Sequence, residues 1–211
     1  RCLIDYTIQE AQKSKLIDRY IVSTDNLEIK KYAESKGVDV PFIRPSNLSN
    51  DFATSADALK HALLFCEKED GIKYDYVIEL MCTNPFKKYF DIDKCIDKII
   101  KNNADSVIGV SKLDDHHPAR IKKIENGFIR DFVIPELSSR RQDLKPDAYI
   151  RNGSIYAINR DKLVNENYRF GGDNSLAYIM DPPANINIDN ELDLLLAELI
   201  IKKDIQFRNN S

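Results

Sequence analysis

Tyr76-Val77-Ile78-Glu79-Leu80-Met81 is followed by Ile92, Cys95, Ile96 and Ile99, and these by Ser106-Val107-Ile108-Gly109-Val110. The outer stretches are near-continuous apolar runs, the pattern of strands buried on both faces. The four residues between them keep the spacing of one helical face. Strand, helix and strand in succession make a βαβ unit, which implies a parallel sheet covered by helices, with right-handed crossovers.

The same alternation extends upstream. Ile4, Ile8 and Ala11 form one face of an opening helix, and Tyr20-Ile21-Val22 reads as a strand. A helix is expected over Leu27 to Ser35, then a strand from Val38 to Ile43 that Arg44-Pro45 stops. Leu59, Ala62, Leu63 and Cys66 mark a long helix that Ser55 would cap. Downstream, residues 114–149 are polar, with two short alternating pieces at Ile121 to Ile124 and Phe128 to Arg130; they read as an inserted hairpin or arm. Strand character returns at Ile155 to Ile158, and a last short strand, Ile186 to Ile188, feeds a helix from Glu191 to about Lys202. The expectation is a single α/β domain over residues 1–211, built on a mostly parallel, Rossmann-like sheet with an arm at 114–149.

A chain of 211 residues, 43% hydrophobic, suits one full core. Its 31 basic and 34 acidic residues nearly cancel, which argues against the basic field of a nucleic-acid binder. No apolar run approaches the roughly 18 residues of a membrane span, and no secretory signal opens the chain, so a cytoplasmic protein is expected. Cys2, Cys66, Cys82 and Cys95 include no C-x-x-C pair; reduced thiols are expected, with Cys66 and Cys95 as small core residues.

Ligands of open α/β sheets bind beyond the carboxyl ends of the strands. The segments to inspect are therefore Ser23-Thr24-Asp25, Arg44-Pro45, Cys82 to Lys87 and the tail of the last strand. Asp25 is either a helix cap or part of a ligand loop. Arg44 is either a surface charge or a fixed cation for a nucleotide. Asn187 and Asp189 share one face of an extended chain, so their oxygens suit a Mg²⁺ ion that also holds substrate phosphates. Alternatively, Asp189 or Asn190 caps the C-terminal helix. Arg140-Arg141-Gln142-Asp143 reads as a solvated face and Asn152-Gly153 as a turn. His116 and His117 are adjacent and point apart, so they do not chelate one metal.

Read together and in order, several short segments resemble the acylneuraminate cytidylyltransferase family, the CMP-sialic and CMP-nonulosonic acid synthetases. They are Leu3 to Ile8, Val22 to Asp25, Pro41 to Pro45, Thr83 to Phe86, His116 to Pro118, Arg140 to Leu144, Asn152 to Tyr156, Tyr178 to Met180 and Ile188 to Asp193. The resemblance implies a glycosyltransferase-A-like fold and a homodimer joined through the arm. The implied reaction couples CTP to a nine-carbon 2-keto sugar acid with release of pyrophosphate. On this likeness Arg44, Ser55 and Asp25 would hold the nucleotide, and Asp189 with Asn187 the Mg²⁺. Arg141 would act beside Asp189 in catalysis, and Met81, Thr83, Asn84, Gln142, Arg151 and Asn152 would face the sugar acid.

The chain also departs from the family pattern. No Ala-Arg-Gly-Gly-Ser-Lys type phosphate loop precedes Arg1, so a sheet without its first strand is expected. Asn187 stands where the family has a second aspartate, and Met81 where it has glutamine, which implies a less hydroxylated sugar of legionaminic or pseudaminic type. The arginine of the Tyr-Arg-Pro-Asn-Gly pattern has moved by one, to Arg151. The alternatives are a nucleotidyltransferase for another sugar or nucleotide, or an inactive nucleotide-sugar-binding subunit.

Overall fold

The computed structural model describes residues 1–113, 115–136, 138 and 140–209. The βαβ unit is present: β1 (Tyr76–Leu80), α4 (Tyr89–Asn102) and β2 (Ser106–Lys112). Upstream lie α1 (Leu3–Ala11), α2 (Leu27–Ser35) and α3 (Ser55–Asp70). Downstream come β3 (Lys122–Glu125), β4 (Phe128–Asp131), β5 (Tyr149–Asn159), α5 (Arg160–Glu166), β6 (Ser175–Ile179) and α6 (Glu191–Asn209).

The main sheet has the order β1-β5-β2-β6. β1, β2 and β6 run in one direction, but β5 is inserted between β1 and β2 and pairs antiparallel with both. Among the described strands of this sheet, only the β2–β6 pairing is parallel. The expected mostly parallel sheet is therefore corrected to a mixed one. The reason lies in the connection: β2 leads into the arm, and the chain returns as a long hairpin rather than through a helical crossover.

Three other expectations change. Tyr20 to Val22 and Val38 to Ile43 form no ladder; they meet at a single parallel bridge, Ile21–Asp39, with Val22 N donating to the Asp39 carbonyl. Ile186 to Ile188 is not a strand, and one backbone bond from Ile188 to the Thr83 carbonyl (2.8 Å) holds it to the sheet edge. β6 was not anticipated, because Ser175 and Ala177 are weak strand formers and its burial is only partial.

β5 is the spine of the core. Ile155 and Ala157 point to α4 and pack with Ile92, Cys95, Ile96, Ile99 and Val107. Tyr156 and Ile158 point the other way and pack with Leu63 of α3, Ile108 and Leu163 of α5. Ile92, Ile99, Ile155 and Ile158 are fully buried, each worth about 1.5–3 kcal/mol relative to exposure. Cys66 and Cys95 are buried, as expected of small core residues. A further layer joins Ile8 of α1 to Ala33, Val38 and Val40. No described helix is long and apolar enough to cross a membrane.

The segment between β2 and β5 does carry a hairpin. β3 and β4 pair antiparallel around Asn126-Gly127, whose φ values of 52° and 82° suit a tight two-residue turn. They form a sheet of their own, separate from the main one.

Candidate active site

One edge of the main sheet collects the carboxyl ends of β1, β2 and β6 and the beginning of β5. The loop after β1 is tied there at several points. Met81 N donates to the Ser154 carbonyl, and the Asn84 side-chain amide donates to the carbonyls of Asn152 (3.2 Å) and Ala184 (2.7 Å). Asn84 is fully buried, and so serves as a clamp between three segments. The Thr83 carbonyl accepts from Ile188 N, which brings Thr83 beside Asn187 and Asp189.

Gly153 is the pivot of β5. Its φ of +62° lies in the left-handed region open to glycine, and the β2–β5 register is irregular opposite it. A side chain here would meet Asn187 Oδ1 at 3.1 Å, so the bare backbone admits that amide. Across the strand, a Cβ on Gly109 would lie 2.8 Å from Asn152 Oδ1 and 3.0 Å from Met180 Sδ. The two glycines thus make room for Asn152 and Asn187 at the sheet edge. Asn152 Nδ2 donates to Ser111 Oγ, and Ser111 Oγ to the Met180 carbonyl. Arg151, one residue earlier, turns onto the Phe170 ring, 4.1 Å from its centroid. It has no ion pair among the described residues.

Asn187 and Asp189 meet as their spacing implies: Asn187 Nδ2 lies 2.8 Å from each carboxylate oxygen of Asp189. Helix α6 is capped by other groups. Asn190 Oδ1 accepts from Asp193 N, and the Asp193 carboxylate accepts from the backbone N–H of both Asp189 and Asn190. The Asp189 carboxylate is exposed and free of that duty. Asn187 Oδ1 is buried and lacks a hydrogen-bond partner. Turning that amide over would set a carbonyl oxygen beside the carboxylate, so the pair fits a hard divalent cation. Among the described residues no cluster of three or more His, Cys, Asp or Glu could hold a metal by itself. A cation here would take its other ligands from water and from substrate oxygens.

Arg44 and Asp25 form a second group. Arg44 N donates to the Thr24 carbonyl, extending the Ile21–Asp39 layer, and its guanidinium lies 3.5 Å from Asp25 Oδ1 and 3.0 Å from Ser49 Oγ. Asp25 does not cap α2; Asn26 does, accepting from the N–H groups of Glu28 and Ile29. Nor does Ser55 cap α3. Thr54 takes that role, and Ser55 is the exposed first residue of the helix. No hydrogen bond or ion pair between described residues joins this group to Asp189.

Met81 is half-buried and packs on the cluster that contains Ala56, Leu63 and Tyr156. Gln142 is exposed in a single 3-10 turn, Arg141–Asp143, and the Arg141 side chain lies outside the described residues. The Arg169 guanidinium pairs with Glu79 of β1 at 2.7 Å and stacks on Tyr156. Burial pushes the Glu79 carboxyl up against that pairing.

The group that sequence reasoning passed over is Lys87. It is fully buried, and burial pushes its amine down to about 7. In the sequence it stands only at the end of the Cys82 to Lys87 segment, beside Lys88, with no role of its own. Only the folded loop shows that it points inward.

Comparison with known proteins agrees with this architecture. Residues 1–170 match the profile of a family described as cytidylyltransferase. The chain is 29% identical over 98% of its length to the post-translational flagellin modification protein B of Campylobacter coli, spanning 87% of that protein. It is 28% identical over 95% of its length to a pseudaminic acid cytidylyltransferase of Campylobacter jejuni subsp. jejuni, spanning 85% of it. Among solved structures, a CMP:2-keto-3-deoxy-manno-octonic acid synthetase in complex with CTP superposes with a TM-score of 0.66. That likeness covers 96% of this chain and 88% of the other at 14% identity, and so speaks to the fold.

Proposed function

Because the chain belongs to the cytidylyltransferase family, we propose that it transfers the CMP group of CTP to a nine-carbon 2-keto sugar acid. The anomeric hydroxyl oxygen attacks the α-phosphorus and forms the new P–O bond. The α–β anhydride bond breaks, the hydroxyl proton is lost and pyrophosphate leaves. The observation that carries this reading is the convergence of Thr83, Asn152, Asn187 and Asp189 at one edge of the sheet, tied by the Thr83–Ile188 and Asn84–Asn152 hydrogen bonds.

The chain's task is positioning and charge neutralisation more than covalent chemistry. Asp189 and the Asn187 carbonyl oxygen would hold Mg²⁺, which when bound neutralises charge on the phosphates. Arg44, steered by Asp25 and Ser49, would present its guanidinium to the nucleotide, and Ser55, at the start of α3, would add a hydroxyl. Arg151, spread over Phe170 and without an ion pair among the described residues, would meet the sugar-acid carboxylate. Arg141 and Gln142 of the arm would complete the site. Met81 offers a thioether in an apolar setting, which favours a deoxygenated acid of legionaminic or pseudaminic type. Equal turnover of N-acetylneuraminate and its deoxy analogues would contradict that preference.

The arm supports a homodimer. Ile124 and Ile129 face each other across the hairpin at 77% and 70% exposure, and Phe128 and Val133 are also exposed. A two-stranded hairpin alone is marginal in water, so a second copy would cover it. Ile129→Asp should shift sedimentation from dimer toward monomer; an unchanged dimer would place the contact elsewhere. The four free cysteines support a reducing cytoplasm as the compartment.

A further inference from the structure

Lys87 has three polar neighbours and no carboxylate among them. Its Nζ donates to the Met81 carbonyl (2.6 Å), to the Asn84 carbonyl and to Thr7 Oγ1 of α1 (3.1 Å). Two of these partners are pure acceptors, and the third is a hydroxyl that can donate or accept. An ammonium satisfies them with three N–H bonds. A neutral amine satisfies them equally, with two N–H bonds to the carbonyls and its lone pair on the Thr7 hydroxyl. The arrangement thus keeps a fully buried amine bonded in either charge state, in line with its lowered proton affinity.

The two carbonyls it grips bracket the loop that reaches the site. Between them lies Thr83, whose own carbonyl holds Ile188, and Ile188 stands between Asn187 and Asp189. Asn84, at the far end of the grip, clamps Asn152 and Ala184. Hydrogen bonds on either side of the short Met81 to Asn84 backbone therefore link α1, through Lys87, to the Asn187–Asp189 segment.

We propose that Lys87 is a positioning residue: by binding the Met81 and Asn84 carbonyls it sets the conformation of the loop after β1, and through Thr83 the placement of Asp189. This rests on the reading of Asp189 as the phosphate-side group, but its structural half stands independently. Lys87→Met keeps most of the volume and removes the donors. The test compares kcat, nucleotide affinity and backbone amide exchange in Lys87→Met and the unaltered protein, at a temperature well below both melting points.

A misplacement of about 1 Å near reacting groups costs on the order of 100-fold, so kcat should fall between 10- and 100-fold. The dissociation constant for CTP should stay within about threefold, since Arg44 sits on a separate layer. Exchange should quicken at the Ile188 amide but not at the β2–β5 ladder. Added n-butylamine should restore part of the kcat of Lys87→Ala, because a free amine can refill the vacated position.

Unchanged kcat together with unchanged exchange at Ile188 would overturn the proposal. So would exchange that rises uniformly over the sheet, which marks a general stability role. If the unaltered protein turned over no sugar acid but Ile188 still loosened on substitution, the proposed function would fail and the positioning role survive. If Lys87→Met did not fold, Lys87→Gln replaces it: its amide donates but ends short of the Nζ position, so kcat and exchange at Ile188 should move in the same direction by a smaller factor, and the overturning results are unchanged.

Discussion

Asp189→Ala should lower kcat by about 10³ or more, with an unfolding free energy within about 0.5 kcal/mol of the original. The carboxylate is exposed, and its described partner is the Asn187 amide. The cap of α6 uses only the Asp189 backbone N–H, together with Asn190 and Asp193, so alanine leaves it intact. The loss would therefore fall on chemistry. If Asp189 helps hold the cation that neutralises phosphate charge, its removal leaves only the Asn187 amide oxygen as a neighbouring protein ligand. Steady-state turnover at saturating CTP and sugar acid, alongside thermal unfolding by circular dichroism, separates the two effects. Undiminished kcat would reduce Asp189 to the lead-in of the helix.

Arg44→Ala should raise the dissociation constant for CTP between about 10- and 100-fold, the range for losing a charged hydrogen bond, and should change kcat much less. The guanidinium is aimed by Ser49 Oγ and Asp25, and its backbone is pinned to Thr24. Asp25 is exposed, so stranding it without its cation costs little stability. Isothermal titration of CTP gives the answer directly. An unaltered titration would return Arg44 to the role of a surface charge.

The helices were largely legible from periodicity, and α2 spans the expected residues because Leu27 and Ser35 bound a compact helical pattern. The apolar runs of β1 and β2 announced themselves as buried strands for the same reason. The direction of β5 was not legible: Ile155 to Ile158 is equally apolar whether its neighbours run parallel or antiparallel. Caps fell one residue from their expected places, on Asn26 and Thr54, since neighbouring polar residues compete for the same N–H groups. This shift freed Asp25 for Arg44. At the site, the spacing of Asn187 and Asp189 foretold their contact, although the segment is held by one backbone bond rather than by a strand. Asn84 and Lys87 show the limit of such reasoning. Asn84 is expected from the resemblance to face the sugar acid and Lys87 has no role of its own in the sequence, and only tertiary structure shows one as a clamp between backbone carbonyls and the other as a buried amine.

The central claim is that this chain joins CMP to a nonulosonic acid. It is tested most directly by incubating the protein with Mg²⁺, a panel of such acids and each of CTP, UTP, ATP and GTP in turn. The readout is pyrophosphate release together with the mass of the conjugate. The account predicts pyrophosphate and a CMP-linked acid in equal amounts with CTP, and neither with the other three. Release with a different nucleotide would contradict the assignment of CTP, and no release with any of them would leave a binding subunit in place of an enzyme.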